Sequence, residues 1–255
     1  MVAEAQSSYE QVFKKTSGGT LYAEVKYDGE RLQLHKDGDK FTYFSRSLKQ
    51  VPNHKTEYLH QYVKEAIPSA TSIILDGEIL LYDTVRKCPL PFGTLGVHKK
   101  KNFNEATVCF VVFDCVYFNE MCLLNKPLRE RRRIMEENIR AIPGRIVLAE
   151  QKLLTNVTEL EDYLMECIKG NLEGLVLKDP EGVYEPGKRH WIKMKKDYLD
   201  DKGLADSADL VVLGAYYGTG LFGGVKSIYL MGCVDPRTMK WHTVTKVGNG
   251  YTLCV

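Results

Sequence analysis

A six-residue string near the start of the chain combines a lysine, a tight turn and an arginine, and it runs Lys-Tyr-Asp-Gly-Glu-Arg from Lys26 to Arg31. The lysine ends an apolar strand, and the Asp-Gly pair that follows favours a turn. A lysine amine held beside other cations gives up its proton more readily and can act as a nitrogen nucleophile. On this string alone, an ordinary hairpin with an exposed lysine remains an alternative.

Charged and aromatic residues recur further along the chain, inside segments that are otherwise apolar. Glu78 stands in Ile-Leu-Asp-Gly-Glu-Ile-Leu, Phe113 in Val-Phe-Asp-Cys, and Glu173 in Leu-Glu-Gly-Leu-Val-Leu-Lys. Lys193 and Lys195 stand in Trp-Ile-Lys-Met-Lys-Lys. Burying an unpaired charge costs several kcal/mol. A fold that buries charges repeatedly is therefore expected to bind something charged at that place.

These residue types suit a nucleotide. Lys193 and Lys195 lie two positions apart, so they share one face of a strand and can clamp phosphate oxygens. Glu78 and Glu173 supply hard oxygen ligands for Mg²⁺ or acceptors for ribose hydroxyl groups. Phe113 offers a ring on which a base can stack. The pattern indicates a nucleotide site that contains a lysine nucleophile.

The hydrophobic spacing predicts the helices that position this site. The spacing changes often along the chain, as is typical of α+β proteins. Four helices are predicted: one with Ala5, Tyr9, Val12 and Phe13 on one face, one over Leu59–Ile67 that stops at Pro68, one opened by Pro127 that runs through Arg133, and one from Asn156, with Glu159 in a capping-box position, to Lys169 and Gly170.

Strands are predicted between these helices, at Leu21–Lys26, Arg31–His35, Phe41–Ser45, Ser72–Tyr82, Thr107–Phe118 and Leu172–Lys178. An Asp-Gly pair at 37–38 joins the second and third as a hairpin. The last three are strongly apolar and β-branched, so we expect them at the centre of a sheet with helices packed over it. The predicted fold class is α+β, with antiparallel or mixed sheets flanked by helices.

After Asp197 the sequence contains short strands only, at Asp209–Tyr217, Lys226–Val234 and Trp241–Val247. This is the pattern expected at the start of a small β-barrel, and an OB-fold barrel needs about five strands. We therefore expect two domains, residues 1–198 and an incomplete barrel over 199–255. The spacing Gly218-x-Gly220-x-x-Gly223 matches a dinucleotide fingerprint, but a strand follows it where that motif needs a helix, so a hairpin turn is predicted.

Composition excludes several classes of protein. The chain has 255 residues, of which 44% are apolar and 27% charged, with a net charge of +2. No apolar run approaches the ~20 residues of a membrane span, so no membrane association is expected. The seven cysteines contain no Cys-x-x-Cys pair, which predicts core residues in a reducing compartment. No signal peptide precedes the lysine string, so the nucleus or cytosol is the expected location.

The strings described above, in their order, resemble the nucleotidyltransferase motifs of ATP-dependent DNA ligases. Lys-Tyr-Asp-Gly-Glu-Arg is similar to the first motif of that family, and Phe44, Ser45 and Arg46 resemble the next. The remaining motifs fall on Glu78, Phe113, Glu173 and the pair Lys193 and Lys195. Two longer strings, at residues 91–98 and 184–191, resemble the DNA ligase III branch. The resemblance implies an adenylation domain followed by the start of an OB-fold domain.

The resemblance also implies a role for each residue of the nucleotide site. Lys26 would attack ATP and form a lysyl-AMP intermediate, and Glu24 would accept a hydrogen bond from the adenine amino group. Phe113 would stack on the base, Glu78 would hold the ribose, and Arg31 would lie near the sugar and phosphate. ATP is the implied cofactor, together with Mg²⁺.

Further residues are assigned to the phosphates, the metal and DNA by the same resemblance. Lys193 and Lys195 would neutralise the reacting phosphate, while Glu78 and Glu173 would bind Mg²⁺. Asp28 and Arg46 would contact the nick, with Arg46 at the 5′-phosphate. Basic segments at 98–101, 129–133 and 188–190 suit a face that binds a DNA duplex. For the arginine run, a solvated helix face remains an alternative.

The implied activity is the sealing of nicks in double-stranded DNA during repair, recombination and replication, in the nucleus or the mitochondrion. A repair scaffold protein is an expected partner through regions outside this chain. Because the family has a DNA-binding region before the lysine domain and a last basic motif in the OB domain, we expect an internal fragment that seals nicks poorly alone. An mRNA capping guanylyltransferase and a non-catalytic nick-binding module remain alternatives.

Overall fold

The computed structural model describes residues 3–5, 8–52, 56, 58–90, 106–170, 172–188, 190–195, 210–219 and 223–248. The chain divides into two compact units, Met1–Lys202 and Gly203–Val255. The string at 91–98, the basic segment at 98–101, Arg189 of the segment at 188–190, Gly220 and Cys254 lie outside the described residues.

The first unit contains four helices and twelve strands among the residues described. The helices are α1 (Tyr9–Lys14), α2 (Tyr58–Ala66), α3 (Leu128–Asn138) and α4 (Val157–Lys169). The strands are β1 (Ala3–Ala5), β2 (Leu21–Val25), β3 (Glu30–Asp37), β4 (Lys40–Ser45), β5 (Ser72–Asp83), β6 (Cys88–Pro89), β7 (Ala106–Phe118), β8 (Met121–Cys122), β9 (Ile146–Leu148), β10 (Gln151–Leu154), β11 (Gly174–Lys178) and β12 (Trp191–Lys195).

Three of the predicted helices are confirmed as α2, α3 and α4. The first is confirmed as α1 over Tyr9–Lys14, but Ala5, which was predicted on its face, lies in β1. The side chain of Ser8 caps α1 by accepting from Gln11 N. The side chain of Asn156 caps α4 by accepting from the backbone N–H of Glu159. The carboxylate of Glu159 reaches one residue further back than a capping box requires and accepts from the N–H of Thr155 at 2.7 Å.

The strands of the first unit form two mostly antiparallel sheets, so the fold is α+β as predicted. The five-stranded sheet has the order β1-β12-β11-β2-β10. The seven-stranded sheet has the order β4-β3-β5-β7-β8, with β6 paired to β5 and β9 paired to β7. The strands β5, β7 and β11 are central as predicted, but they belong to two different sheets.

Helices cover one face of each sheet. In the five-stranded sheet, Ala23 and Leu175 pack with Leu160 of α4. In the seven-stranded sheet, Leu34 packs with Val63 of α2. The opposite faces of the two sheets share a smaller apolar cluster that includes Tyr184, Trp191 and Phe113. Polar side chains beside this cluster therefore come from both sheets.

The basic run on α3 does not form an exposed face as a whole. Arg131 is 0% exposed and lies inside the first unit, where its Nε donates to Asp114 Oδ1 at 2.7 Å. Arg132 donates to the carbonyl oxygen of Ala149, while Arg133 is exposed. The expected duplex-binding face is therefore wrong for Arg131, because a buried guanidinium cannot reach a DNA phosphate. A uniformly solvated helix face is wrong for the same reason.

The cysteine prediction holds for only half of the residues that can be checked. All six described cysteines are free thiols. Cys109, Cys115 and Cys167 are buried as core residues should be, and burial raises the pKa of the Cys109 thiol to about 12. Cys88 and Cys233 are exposed, as is Cys122, so the sequence overestimated their burial.

The second unit contains a three-stranded antiparallel sheet in its described part, in the order β13 (Val211–Tyr217), β14 (Lys226–Asp235) and β15 (Lys240–Val247). Gly218 and Gly223 form a bridge in the turn between β13 and β14. A strand follows this turn, which confirms the hairpin prediction over the dinucleotide motif. Among the described helices, none has the length and apolarity that crossing a membrane would require.

Candidate active site

A cavity of about 290 Å³ lies in the first unit and takes its walls from both sheets. Its lining residues are Ala3, Glu24, Val25, Lys26, Tyr27, Arg31, Arg46, Glu78, Phe113, Ala149, Val176, Lys178, Trp191, Lys193 and Lys195. Eight of the residues singled out in the sequence are in this set, so the fold brings together positions more than 160 residues apart in the chain.

The floor of the cavity is the uncovered face of the five-stranded sheet. Val176 on β11 pairs with Lys193 on β12 and with Glu24 on β2. Gln151 on β10 pairs with Glu24 from the other side. Because side chains directly opposite one another on adjacent strands point to the same face, these residues form one row across the sheet. Lys195 lies two positions beyond Lys193 and shares that face.

Lys26 lies at the end of β2, where a carboxylate meets its side chain. Its backbone N–H donates to the carbonyl oxygen of Gly174 at 2.8 Å. Its ammonium forms an ion pair with Glu173 Oε2, and Lys195 pairs with the other oxygen, Glu173 Oε1. Glu173 thus bridges two cations. It is placed to accept a proton from Lys26, which the amine must lose before it can act as a nucleophile.

A glycine makes this close approach of strands possible. Gly174 has φ +145°, and a Cβ atom there would collide with the carbonyl oxygen of Met194. Only glycine meets both conditions at once. The strand β11 starts at Gly174, two residues later than predicted, so Glu173 directly precedes the strand rather than lying inside it.

One end of the cavity is lined by two aromatic rings and a buried cation. This end lies away from Glu173, in the direction of the strands β11 and β12. Phe113 and Trp191 contact each other edge to face, with their ring centroids 5.6 Å apart. The ammonium of Lys178 lies 4.8 Å from the centroid of Phe113 and 4.2 Å from that of Trp191. The same ammonium lies 2.5 Å from Glu24 Oε2. A planar base could stack on these rings while its edge faces Glu24.

Arg31 is held rigidly at the seven-stranded side of the cavity. Its Nε donates to Asp76 Oδ1 at 3.0 Å and its Nη2 to Asp76 Oδ2 at 2.5 Å. The hydroxyl of Tyr184 also donates to Asp76 Oδ2, at 2.6 Å, and accepts from Arg31 Nη2 at 3.1 Å. A bidentate pair of this kind fixes the plane of the guanidinium. Arg31 is therefore held in one orientation where it lines the cavity.

Glu78 is a carboxyl group of the cavity whose pKa is shifted by the fold. Burial raises its pKa to about 7, although the charges of Lys26 and Arg31 act in the opposite direction. A carboxyl group whose pKa is raised in the folded state binds a proton more tightly there than in the unfolded chain. Its favourable contribution is complete below the ordinary pKa of 4.5 and is lost as pH rises to about 7.

We therefore expect Glu78→Gln to stabilise the ligand-free chain at pH 8 relative to the wild type, and to have little effect at pH 4.5. The difference should approach roughly 3 kcal/mol at about 1.4 kcal/mol per unit of pKa shift. Urea unfolding curves at the two pH values measure it. Glu65→Gln, on an exposed position of α2, is the control and should show no such dependence. An equal effect of Glu78→Gln at both pH values would contradict the assignment.

The two residues expected to contact DNA occupy different positions. Arg46 is exposed and lines the cavity, so it can reach a ligand at the mouth. Asp28 is exposed in the turn after Lys26 and is not among the described residues that line the cavity. The structure therefore groups Arg46 with the other residues of the cavity, whereas Asp28 is not among its lining residues.

The carboxylates fit Mg²⁺ only if the ligand brings further oxygen atoms. Among the described residues, no group of three or more aspartate, glutamate, histidine or cysteine side chains could hold a metal ion by itself. Glu78 and Glu173 each interact with Lys26. Mg²⁺ commonly binds through one or two carboxylates together with substrate phosphates and water. The donor set therefore suits an ion that enters with a nucleotide.

Several residues of the cavity were not assigned from the sequence. Trp191, Lys178 and Gln151 all lie at the base end, as lining residues or as a partner of Glu24. The period-two rule that placed Lys193 and Lys195 on one face also places Trp191 there, so this residue could have been found. Lys178 and Gln151 depend on the order of the strands in the sheet, which the sequence does not state.

The fold and this cavity define a class of protein: an α+β domain with a nucleotide-sized pocket and a lysine at its centre. A family model described as ATP dependent DNA ligase domain matches residues 1–195. The chain therefore belongs to the ATP-dependent DNA ligase domain family, which agrees with the resemblance found in the sequence.

Individual relatives agree with this membership. The DNA ligase of vaccinia virus (strain Ankara) is 51% identical over 246 residues, which are 96% of this chain and 44% of the viral protein. DNA ligase 3 of Dictyostelium discoideum is 46% identical over 253 residues, or 98% of this chain and 21% of that protein. The chain thus spans less than half the length of either relative.

A solved structure supports the fold. A mycobacterial DNA ligase D, complexed with ATP and MES, superposes with a TM-score of 0.58 at 21% identity, over 98% of this chain and 73% of that one. The similarity at this level of identity concerns the fold, so the roles of single residues depend on the geometry of the cavity.

Proposed function

We propose that this chain carries the nucleotidyl-transfer site of an ATP-dependent DNA ligase, with Lys26 as the residue that becomes covalently linked to AMP. The arrangement of Lys26, Glu173 and Lys195 carries this proposal. It places an amine and a second cation at one end of the cavity, and Glu173 pairs with both as a proton acceptor. Phe113 and Trp191 provide the aromatic surface for a base at the other end.

The first step then follows from these positions. Lys26 Nζ attacks the α-phosphorus of ATP, an N–P bond forms, and the P–O bond to pyrophosphate breaks. The proton lost by the amine passes to Glu173, which is already in contact with it. Lys193 and Lys195 offset the negative charge that develops on the phosphate oxygens. Positioning and positive charge supply most of the rate enhancement in reactions of this type.

A metal ion belongs to this proposal as a companion of the triphosphate. Bound Mg²⁺ supplies Lewis-acid polarisation of phosphate oxygens. Glu78 and Glu173 are the residues that would hold it. Of the two, Glu173 already pairs with Lys26 and Lys195, so it serves the site with or without the metal.

The DNA steps involve the mouth of the cavity. AMP passes from Lys26 to the 5′-phosphate of a nick, and the 3′-hydroxyl group then displaces AMP and closes the strand. Arg46 is the exposed cation at this mouth and suits the 5′-phosphate. Asp28 follows Lys26 by two residues and is exposed, so DNA that approaches Lys26 could contact it.

The wider assignments are part of the same proposal. The sequence identity with the Dictyostelium ligase 3 and the sequence of residues 184–191 favour the ligase III branch. The adenylation domain covers residues 1–198, and the three strands in the described part of the second unit belong to an OB-fold domain. The nucleus, or the mitochondrion, is the proposed compartment, in agreement with the free thiols.

The test is a nucleotide-labelling assay. We expect the chain, incubated with ATP and Mg²⁺, to gain the mass of one AMP that is released by acid, as a phosphoramidate should be. An equal gain of GMP from GTP would favour a capping guanylyltransferase instead. No gain from either nucleotide, in a chain that still binds nicked duplex, would favour a non-catalytic nick-binding module.

A further inference from the structure

The carboxylate of Glu24 is held between two donors from different strands. Its Oε1 accepts a hydrogen bond of 2.8 Å from the side-chain amide of Gln151 on β10. Its Oε2 lies 2.5 Å from the ammonium of Lys178 on β11. Glu24 is only 2% exposed. Bulk water therefore does not compete with these two donors for the carboxylate.

The donor on the β11 side is itself fixed. Lys178 is 2% exposed, lies near the rings of Phe113 and Trp191, and donates to the carbonyl oxygen of Phe113 at 3.3 Å. A lysine so enclosed has little freedom to change its direction. Lys178 therefore sets the position of one oxygen of Glu24 but not the rotation of the carboxylate plane.

The donor on the β10 side removes that remaining freedom. The terminal torsion of a glutamate is broad, so an ion pair at one oxygen leaves the plane of the group poorly defined. Gln151 is the direct cross-strand partner of Glu24, and its amide hydrogen bond holds the second oxygen. With both oxygens held, the carboxylate keeps one orientation in the cavity that Glu24 lines.

We propose that Gln151 is a positioning residue for base selection: together with Lys178, it holds the Glu24 carboxylate in the one orientation that accepts a hydrogen bond from the amino group of adenine. This inference rests on the proposed function, since it assumes a purine nucleotide in the cavity. Gln151 does not touch the base itself. It acts through Glu24, which lies on β2 two residues before Lys26.

The chemistry of the two purines explains why orientation matters. Adenine presents an amino donor at C6, whereas guanine presents a carbonyl oxygen there. A fixed carboxylate accepts a hydrogen bond from the adenine amino group. With guanine, the carboxylate would face the carbonyl oxygen, and two acceptors cannot form a hydrogen bond. A carboxylate that can turn away from guanine loses part of this discrimination. Gln151 should therefore affect the ratio of the two affinities more than either affinity alone.

The experiment measures dissociation constants of the 255-residue chain for ATP, GTP and the triphosphate of unsubstituted purine riboside, which has no group at C6. Gln151→Met keeps the length of the side chain and removes the donor, while Gln151→Lys retains a donor. Lys152→Met is the matched control, since Lys152 is on the same strand and its side chain pairs with Glu166 of α4 instead.

We expect the ratio of the GTP to the ATP dissociation constant to fall about fivefold in Gln151→Met, to stay near the wild-type ratio in Gln151→Lys, and to be unchanged in Lys152→Met. Affinity for the purine riboside triphosphate should be the same in all variants. This control separates an effect on recognition of the group at C6 from a general loss of structure. A wild-type ratio in Gln151→Met, or an equal loss for all three nucleotides, would overturn the role of Gln151.

The outcome for the wild-type chain distinguishes this inference from the proposed function. If the wild type binds ATP in preference to GTP, the nucleotide site stands and only the variants decide the role of Gln151. If the wild type binds none of the three nucleotides, the proposed function fails and the role of Gln151 fails with it. If Gln151→Met does not fold, Gln151→Leu is measured instead, with the same two results deciding.

Discussion

Replacing the nucleophile should abolish covalent labelling: Lys26→Ala is expected to give no AMP adduct after incubation with ATP and Mg²⁺. The amine is the only part of this side chain that can form the N–P bond, so the loss should be roughly a thousandfold or more and below detection. Intact-mass measurement after rapid quenching reads the result directly. The fold should survive, because Lys26 is half-buried at the end of a strand and contributes little packing.

The matched control is Lys40→Ala. Lys40 is also a lysine at a strand terminus, as the first residue of β4. It is exposed, however, and is not among the residues that line the cavity. Labelling of this variant should equal that of the wild type. An adduct of unchanged yield on Lys26→Ala would show that another residue is the nucleophile, and peptide mapping of that adduct would identify it.

The sequence predicted those parts of the molecule that depend on local spacing. The helical period at residues 59–67, the apolar strands around Glu78 and Phe113, and the separation of Lys193 and Lys195 by two positions each follow from the geometry of one element. The side chains near Lys26 were found because a charge inside an apolar strand needs an explanation. The family resemblance then gave these residues their roles.

The parts that escaped prediction depend on which strand lies beside which. Gln151 meets Glu24 because β10 and β11 flank β2, across 127 residues of chain. No periodicity within β10 indicates that neighbour. The same applies to Lys178, whose charge is acceptable only because the carboxylate and two rings surround it. A single sequence can indicate that a charged residue is buried, but it does not indicate which residue on another strand is its partner.

The arginine run on α3 shows a second limit. Five of its neighbouring positions are Arg-Glu-Arg-Arg-Arg, which reads as a charged surface. A helix places residues on all sides, however, and Arg131 falls on the side that faces β7. Its partner, Asp114, was visible as a charge in an apolar strand. The two signals belonged together, and only the packing of α3 on the sheet joins them.

The second large effect should come from that pair. We expect Arg131→Met to destabilise the chain by about 3–5 kcal/mol, because it leaves the carboxylate of Asp114 buried without its cation. Both residues are 0% exposed, and the guanidinium makes two hydrogen bonds to Asp114, at 2.7 and 3.0 Å. For a domain of this size the melting temperature should fall by roughly 10 °C. Thermal and urea unfolding measure both values.

Arg133→Met is the control on the same helix. Its guanidinium lies 3.6 Å from Glu137, and the two side chains are 69% and 60% exposed. An exposed pair of this kind contributes about 0–1 kcal/mol. The buried charge can also be tested directly: Arg131→Met combined with Asp114→Asn should recover part of the loss, since the uncompensated charge is gone. Equal destabilisation by Arg131→Met and Arg133→Met would contradict the assignment.

The same substitution should weaken nucleotide binding at a distance. Asp114 directly follows Phe113, whose ring lines the cavity, and Arg131 also donates to the carbonyl oxygen of Gly182 at 3.1 Å. Gly182 lies two residues before Tyr184, whose hydroxyl donates a hydrogen bond to Asp76. At temperatures where Arg131→Met remains folded, its affinity for ATP should therefore fall more than that of Arg133→Met. If binding is unchanged while stability falls, Arg131 supports the fold alone and the wall of the cavity is held by other contacts.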